Sequence, residues 1–326
     1  MSKNTNFHSA KRNKNNEFYT RFEDIDKELF RYKEMFVGKN VYCNCDDPEV
    51  SQFFKYFFLN FKLFALKKLI ATCYKPQERD LFSDKPYKKG MYVAYDGEYD
   101  DSQMPDVTHL KVKELEGDGD FRSRECKEIL KSADIIVTNP PFSLFNDFIE
   151  LMMEFNKKFI ILGNKNAVRN KKIFPLIIEK KMWFGVTTPR TFYLSDNSTV
   201  NKLSGLCRWF TNLECNKKIN PLLLSKKYNS IEYPSYDTFN AINVDKVKNI
   251  PIDYDGYIGV PVTFVDKWNP DIDLETSVAS TNDYEIIGIL SHGSDSKYDF
   301  AEPVVNGKKL YSRLIIKKKG ILRQAK

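Results

Sequence analysis

The run of apolar and polar positions divides the chain into short buried strands and amphipathic helices. Asp134 to Thr138 is an apolar, β-branched stretch with the length of a buried strand. Beyond it Leu144, Phe145, Phe148, Ile149, Leu151, Met152 and Phe155 recur at helical spacing, with Ser143 placed as the helix N-cap. Lys158 to Gly163 is again an apolar strand, so this stretch reads as a βαβ unit. An earlier unit has the same form. Val41 to Cys45 is a strand that Asp46-Asp47-Pro48 breaks, and Lys67 to Tyr74 is the next strand. Between them Val50 to Phe64 carries Phe53, Phe54, Phe57, Phe58, Phe61 and Phe64, too apolar for one polar face, so this helix packs deeply on a sheet.

The remaining pattern fills in around these units. Glu23 to Phe36 reads as a surface helix. Met91 to Tyr95 and Thr108 to Val112 are expected to pair as a hairpin, Gly117-Asp-Gly-Asp-Phe121 turns into a helix up to Lys131, Val168 to Lys180 is a further helix, and Leu203 to Leu213 supplies a last strand. The first fifteen residues are polar and are expected to be disordered. Beyond about residue 216 the character changes to short strands with Pro, Gly and Asn turns, such as Pro251 to Pro261. The expected class is α/β: an open sheet domain over 16–215, with a smaller region over 216–326.

Charge narrows the partners. The 326 residues hold 51 basic and 44 acidic side chains, net +7, which permits a polyanionic partner without requiring one. The excess lies at the ends. No acidic residue precedes Glu17, and none follows Glu302, after which come Lys308, Lys309, Arg313, Lys317, Lys318, Lys319, Arg323 and Lys326. Such tails are either solvated or meet nucleic acid. The six cysteines form no CxxC pair and the three histidines lie far apart, so no metal is expected. With no signal peptide and no apolar run of membrane-spanning length, a reduced cytoplasmic protein is expected.

The most telling chemistry is Asn139-Pro140-Pro141-Phe142 after the 134–138 strand, at the carboxyl end of a sheet strand, where open α/β folds bind ligands. The four residues suit methylation of an amine on a planar ring. The Asn139 side-chain oxygen and the Pro140 carbonyl can hold both amine hydrogens and localise the lone pair. The two prolines stiffen the loop, and Phe142 can lie against the ring. The plainer reading is a strand followed by a tight Pro-Pro turn.

Three further segments fit a cofactor site, each with a plainer alternative. Asp46 and Asp47 end the first strand, where a carboxylate meets a sugar hydroxyl or an ammonium; Asp47 is equally well a helix N-cap. Asp118-Gly-Asp120-Phe121 offers a carboxylate for an adenine amine with an aromatic face beside it, or is a solvated glycine turn. Phe18-Tyr19-Thr20 is two aromatics and a hydroxyl, taken alone a packing element. The chain lacks GxGxxG and Walker loops, which disfavours dinucleotides and ATP.

Together these segments resemble the amino-group DNA methyltransferases, and specifically the EcoRI-type adenine modification methyltransferases. The resemblance covers nearly the whole chain: NEFYT at 16–20, VYCNCDDPEVSQFFKYF at 41–57, LKKLIATCY at 66–74, GDFRS at 119–123, DIIVTNPPFSLF at 134–145 and DYDGYIGVPVTFVDKWNP at 253–270. It implies a Rossmann-like methyltransferase domain, S-adenosylmethionine as methyl donor, and the exocyclic amine of a flipped adenine in double-stranded DNA as acceptor. The enzyme would act as a monomer in a restriction-modification system, on GAATTC or a related site. Asn139, Pro140, Pro141 and Phe142 carry over as the catalytic loop. Phe18, Tyr19 and Thr20 match the cofactor-side N-terminal motif, and Asp120 with Phe121 match the cofactor-adenine motif. CNCDDP stands where most methyltransferases have Gly-x-Gly. NPP-aromatic loops also serve enzymes that methylate an RNA base or a protein glutamine amide. By elimination, sequence reading falls between about 190 and 300, with Arg190, Lys202, Arg208 and Lys267 as candidate DNA contacts, while Lys317, Lys318 and Lys319 meet phosphates.

Overall fold

The computed structural model describes residues 19–48, 50–75, 88–98, 110–190, 192–193, 199–200, 205–214, 221–268, 278–292 and 297–319. The N-terminal fifteen residues, Phe18 and Lys202 lie outside these. The chain divides into two compact units, one of residues 1–165 with 185–216 and the other of 166–184 with 217–326.

The first unit begins with β1 (Tyr19–Thr20), α1 (Phe22–Leu29), a 3-10 turn over Phe30–Tyr32 and α2 (Lys33–Phe36). The surface helix expected over 23–36 is therefore interrupted, but Ile25, Leu29, Tyr32 and Phe36 still form one buried stripe. Next come β2 (Asn40–Cys43), α3 (Gln52–Leu59), β3 (Lys68–Cys73), β4 (Met91–Tyr95) and β5 (Lys113–Glu114). Then follow α4 (Arg124–Ser132), β6 (Ile135–Thr138), α5 (Phe145–Glu154), β7 (Lys158–Asn164), β8 (Phe192–Tyr193), β9 (Thr199–Val200) and β10 (Cys207–Thr211). Seven of these strands form one mixed sheet in the order β5-β4-β3-β2-β6-β7-β10. The central pairs β3–β2, β2–β6 and β6–β7 are parallel, and the flanks are antiparallel. The central strands are buried on both faces, which explains their unbroken apolar sequences. The phenylalanine-rich helix ends at Leu59, and Phe61 and Phe64 continue its packing from the following turns.

Three expectations shift. The partner of β4 is the exposed pair Lys113–Glu114 rather than Thr108 to Val112, of which 110–112 carry no strand. Ser143 is not a helix cap, because Phe142–Leu144 form a 3-10 turn and α5 starts at Phe145 behind Leu144. Finally, Val168 to Lys180 holds only a five-residue helix, α6 (Phe174–Ile178), after a 3-10 turn over Lys165–Arg169.

The second unit contains a five-stranded sheet. Its strands are β11 (Ala241–Asn243), β12 (Tyr257–Pro261), β13 (Tyr284–Leu290), β14 (Asp299–Ala301) and β17 (Arg313–Lys318), ordered β11-β12-β17-β13-β14. A small hairpin of β15 (Val304–Val305) and β16 (Lys308–Lys309) stands beside it in sequence. Among the described residues no helix is long and apolar enough to cross a membrane.

Candidate active site

The strand order reverses at β2. The chain leaves it for β3 on one side and later places β6 on the other, so β2 and β6 flank the switch point where such sheets bind ligands at their carboxyl ends. The turn after β2, Asn44 to Asp47, and the loop after β6, Asn139 to Phe142, both emerge there.

Asp46 joins them. Its carboxylate is buried and accepts hydrogen bonds from Ser51 Oγ and Thr138 Oγ1, each at 2.6 Å. Its backbone N–H donates to the Thr72 carbonyl at the end of β3. Ser51 is the N-cap of α3, accepting from the N–H groups of Phe53 and Phe54, so its own proton is committed to Asp46. Burial pushes the Asp46 carboxyl up to about 6; the two hydroxyl bonds oppose this and the charge of Asp47 adds to it. Asp47 is drawn the other way, to Lys75 beyond β3, with Nζ–Oδ2 at 3.0 Å.

The Asp118–Phe121 loop reaches the same edge. Gly119 adopts φ +82°, and a Cβ there would lie 2.4 Å from the Cys73 carbonyl oxygen, so glycine is required by both backbone and space. Lys75 N–H donates to the Asp118 carbonyl. Desolvation raises the Cys45 thiol, with the charges of Asp46, Cys126 and Asp120 adding to it and a bond from Thr138 opposing it. Asp120 is gripped by Arg122, whose side-chain fork holds it below the usual carboxylate range. Phe121 is buried edge-on against Phe148 of α5, with ring centroids 5.2 Å apart.

In the acceptor loop Pro140 is buried, the Asn139 amide oxygen is shielded from solvent and half-buried Phe142 packs against the main core. The Pro141 carbonyl accepts from the Leu144 N–H, which closes the turn. Thr20 is buried on β1, paired with Phe192.

The remaining described candidates lie on more than one segment within each unit. Arg190 is exposed and its backbone N–H donates to Asp24, while half-buried Arg208 on β10 donates to the Cys207 carbonyl. In the second unit Lys267 is exposed at the end of a 3-10 turn. Exposed Lys317 lies 5.3 Å over the Tyr257 ring, Lys318 Nζ donates to the Ile252 carbonyl at 2.8 Å, and Lys319 is half-buried. The sequence reading missed Ser51, Thr138, Lys75 and Arg122. The expected helix began at Val50, so Ser51 fell inside it, whereas the observed helix starts at Gln52 and Ser51 caps it. Among the described residues no group of acids, cysteines and histidines is arranged to hold a metal.

A sheet with this switch point, ending in an NPPF loop, defines an amino-methyltransferase. The family model for the adenine-specific methyltransferase EcoRI matches residues 6–319, and the chain belongs to that family. It is similar to the type II methyltransferase M.EcoRI of Escherichia coli, with 41% identity across 96% of each chain. It also resembles M.MgeORF184P of Mycoplasma genitalium, 38% identical over 97% of this chain and 99% of that one. M.MpnI of Mycoplasma pneumoniae is 36% identical over 96% and 98%. No solved structure matches the chain.

Proposed function

We propose that the protein is the modification enzyme of a type II restriction-modification system, methylating the N6 amine of adenine in duplex DNA from S-adenosylmethionine. The observation that carries this reading is the Thr138–Asp46 hydrogen bond. It fixes the start of the acceptor loop to the turn at which a methyl donor binds.

The turn fits such a donor. Asn44 Oδ1 in this turn and, on β1, Thr20 Oγ1 are buried and have no hydrogen-bond partner among the described residues. Buried acceptors of this kind are costly until a ligand donates to them. An ammonium and sugar hydroxyls supply those donors, and Asp46 adds a carboxylate whose charge a cationic ligand would favour. Asp120 and Phe121 take the adenine of the donor, with Phe18 and Tyr19 completing the site beside Thr20, and Asp47 supports it through Lys75. When bound, S-adenosylmethionine brings a methyl group already activated by its sulfonium charge.

The chain's own part is to present the nucleophile. A base amine inside a duplex cannot reach this loop, so the adenine is extruded, at a cost of a few kcal/mol of unstacking. Phe142 stacks on the extruded base, and the Asn139 amide oxygen and Pro140 carbonyl each accept one amine hydrogen. Pro141 keeps both acceptors aimed, and much of the acceleration is orientation. DNA is held by Lys317, Lys318 and Lys319 and by Arg190, Lys202, Arg208 and Lys267, with target recognition falling largely to the region beyond about residue 190. The enzyme acts as a monomer in the cytoplasm.

The target is GAATTC or a related site. A plasmid propagated with the active gene is expected to resist an endonuclease that cuts GAATTC, and a plasmid carrying the Asn139→Ala gene is expected to be cut. Complete cutting of the first plasmid, with N6-methyladenine mapped elsewhere, would reject the site while leaving the reaction standing.

A further inference from the structure

We propose that Arg122 is a positioning residue for the methyl donor, holding Asp120 so that one carboxylate oxygen stays open to the adenine amine. The proposal rests on the reading of Asp120 as acceptor for that amine. Arg122 grips Asp120 three times: its backbone N–H and Nε donate to Oδ1 at 2.8 and 3.0 Å, and Nη2 donates to Oδ2 at 2.6 Å. A carboxylate offers about four acceptor positions. Oδ1 receives two donors and Oδ2 one, so the fork leaves an acceptor position on Oδ2 and sets its direction.

The rest of the loop is built to keep that direction. Asp118 Oδ1 accepts from the Asp120 N–H at 3.1 Å, and Gly119 is wedged against the Cys73 carbonyl. On its other side the guanidinium faces Asp147 of α5 at 3.8 Å and lies 5.4 Å over the Phe121 ring. It is thus anchored to the helix that follows the acceptor loop and to the aromatic beside the adenine. A planar fork that cannot lose its proton suits this task, whereas a lysine supplies charge without direction. Both side chains of the pair retain solvent contact, so the pair contributes little to folding. Removing it is expected to change recognition rather than stability.

The test measures binding of S-adenosylhomocysteine and of its deaminated counterpart, S-inosylhomocysteine, to the full chain by calorimetry. Wild type is expected to prefer the adenosyl compound by roughly tenfold or more, because the 6-oxo group repels a carboxylate. Arg122→Gln is expected to lower that ratio to within about threefold, and Arg122→Lys to restore part of it. In Arg122→Gln, adenosyl affinity should also fall at mildly acidic pH where wild type holds steady, since the carboxyl loses the cation that keeps it ionised. An unchanged ratio in Arg122→Gln, or equal loss of both compounds, would overturn the positioning role. A wild-type protein that binds both compounds equally would overturn the Asp120 reading and this proposal with it.

Discussion

Thr138 donates a 2.6 Å hydrogen bond to Asp46 across 92 residues of sequence. The bond ties the residue before the acceptor loop to the turn after the first parallel strand. Ser51, capping α3, holds the other oxygen of the same carboxylate. One buried acid thus fixes a strand end, a helix start and the catalytic loop.

That acid makes the fold sensitive to pH. Burial raises the Asp46 carboxyl from 3.8 to about 6, so the folded state binds the proton more tightly than the unfolded chain. The favourable contribution is present at low pH and is lost as pH rises from near 4 to above 6. At about 1.4 kcal/mol per pKa unit, the change is on the order of 3 kcal/mol. In Asp46→Asn the amide oxygen still accepts from Ser51, and the Thr138 hydroxyl can turn to accept from the amide nitrogen. The difference in urea stability between wild type and Asp46→Asn is therefore expected to shift steadily in favour of the variant between pH 4 and 7. Parallel pH profiles would rule out a titrating Asp46.

Asn139→Ala removes one acceptor of the amine. Single-turnover methyl transfer is expected to slow by at least about a hundredfold, while donor and DNA binding change by only a few fold. Rates like those of wild type would mean that the amide does not touch the reacting amine.

Phe142→Ala should weaken the extruded state by about 1–3 kcal/mol, the usual worth of base–aromatic stacking. A fluorescent base analogue at the target adenine is then expected to brighten less on binding. Because Phe142 also packs on the main core, some loss of thermal stability should accompany this. Loss of stability with full brightening would assign the ring to packing alone.

The C-terminal lysines are expected to act unequally. Neutralising Lys317, Lys318 and Lys319 together should flatten the slope of log affinity against log salt by up to about three. With Lys318 Nζ donating to the Ile252 carbonyl and Lys317 exposed, the Lys317→Gln change alone should account for the largest share. A slope untouched by the triple change would show that these charges are solvated.

The sequence revealed the sheet centre better than its margins. Unbroken apolar runs such as Ile135 to Thr138 and Phe159 to Leu162 are buried on both faces, and burial is what such runs encode. The β5 edge escaped notice because Lys113 and Glu114 are both exposed and carry no pattern. The helix expected over 168–180 shrank to Phe174–Ile178, where Pro175 lies in its first turn and lacks the N–H an earlier start would use. At the site, the Asn139–Phe142 loop and the Asp118–Phe121 loop were legible because each is a contiguous motif. Their supports were not, since Thr138 meets Asp46 and Lys75 meets Asp47 only through the folded sheet. Arg122 lay in plain view beside Asp120, but its role depends on geometry that the string GDFRS does not contain.

Transfer of a methyl group to an adenine amine in duplex DNA by the Asn139–Phe142 loop can be read out by nucleoside mass spectrometry. Purified protein is incubated with S-adenosylmethionine and, separately, with duplex DNA, RNA and a protein extract. N6-methyladenine should accumulate in the duplex DNA alone, and Asn139→Ala protein should leave it unmodified. Methylation of RNA or protein with none in DNA, or an active Asn139→Ala enzyme, would mean that this loop does not methylate adenine in duplex DNA.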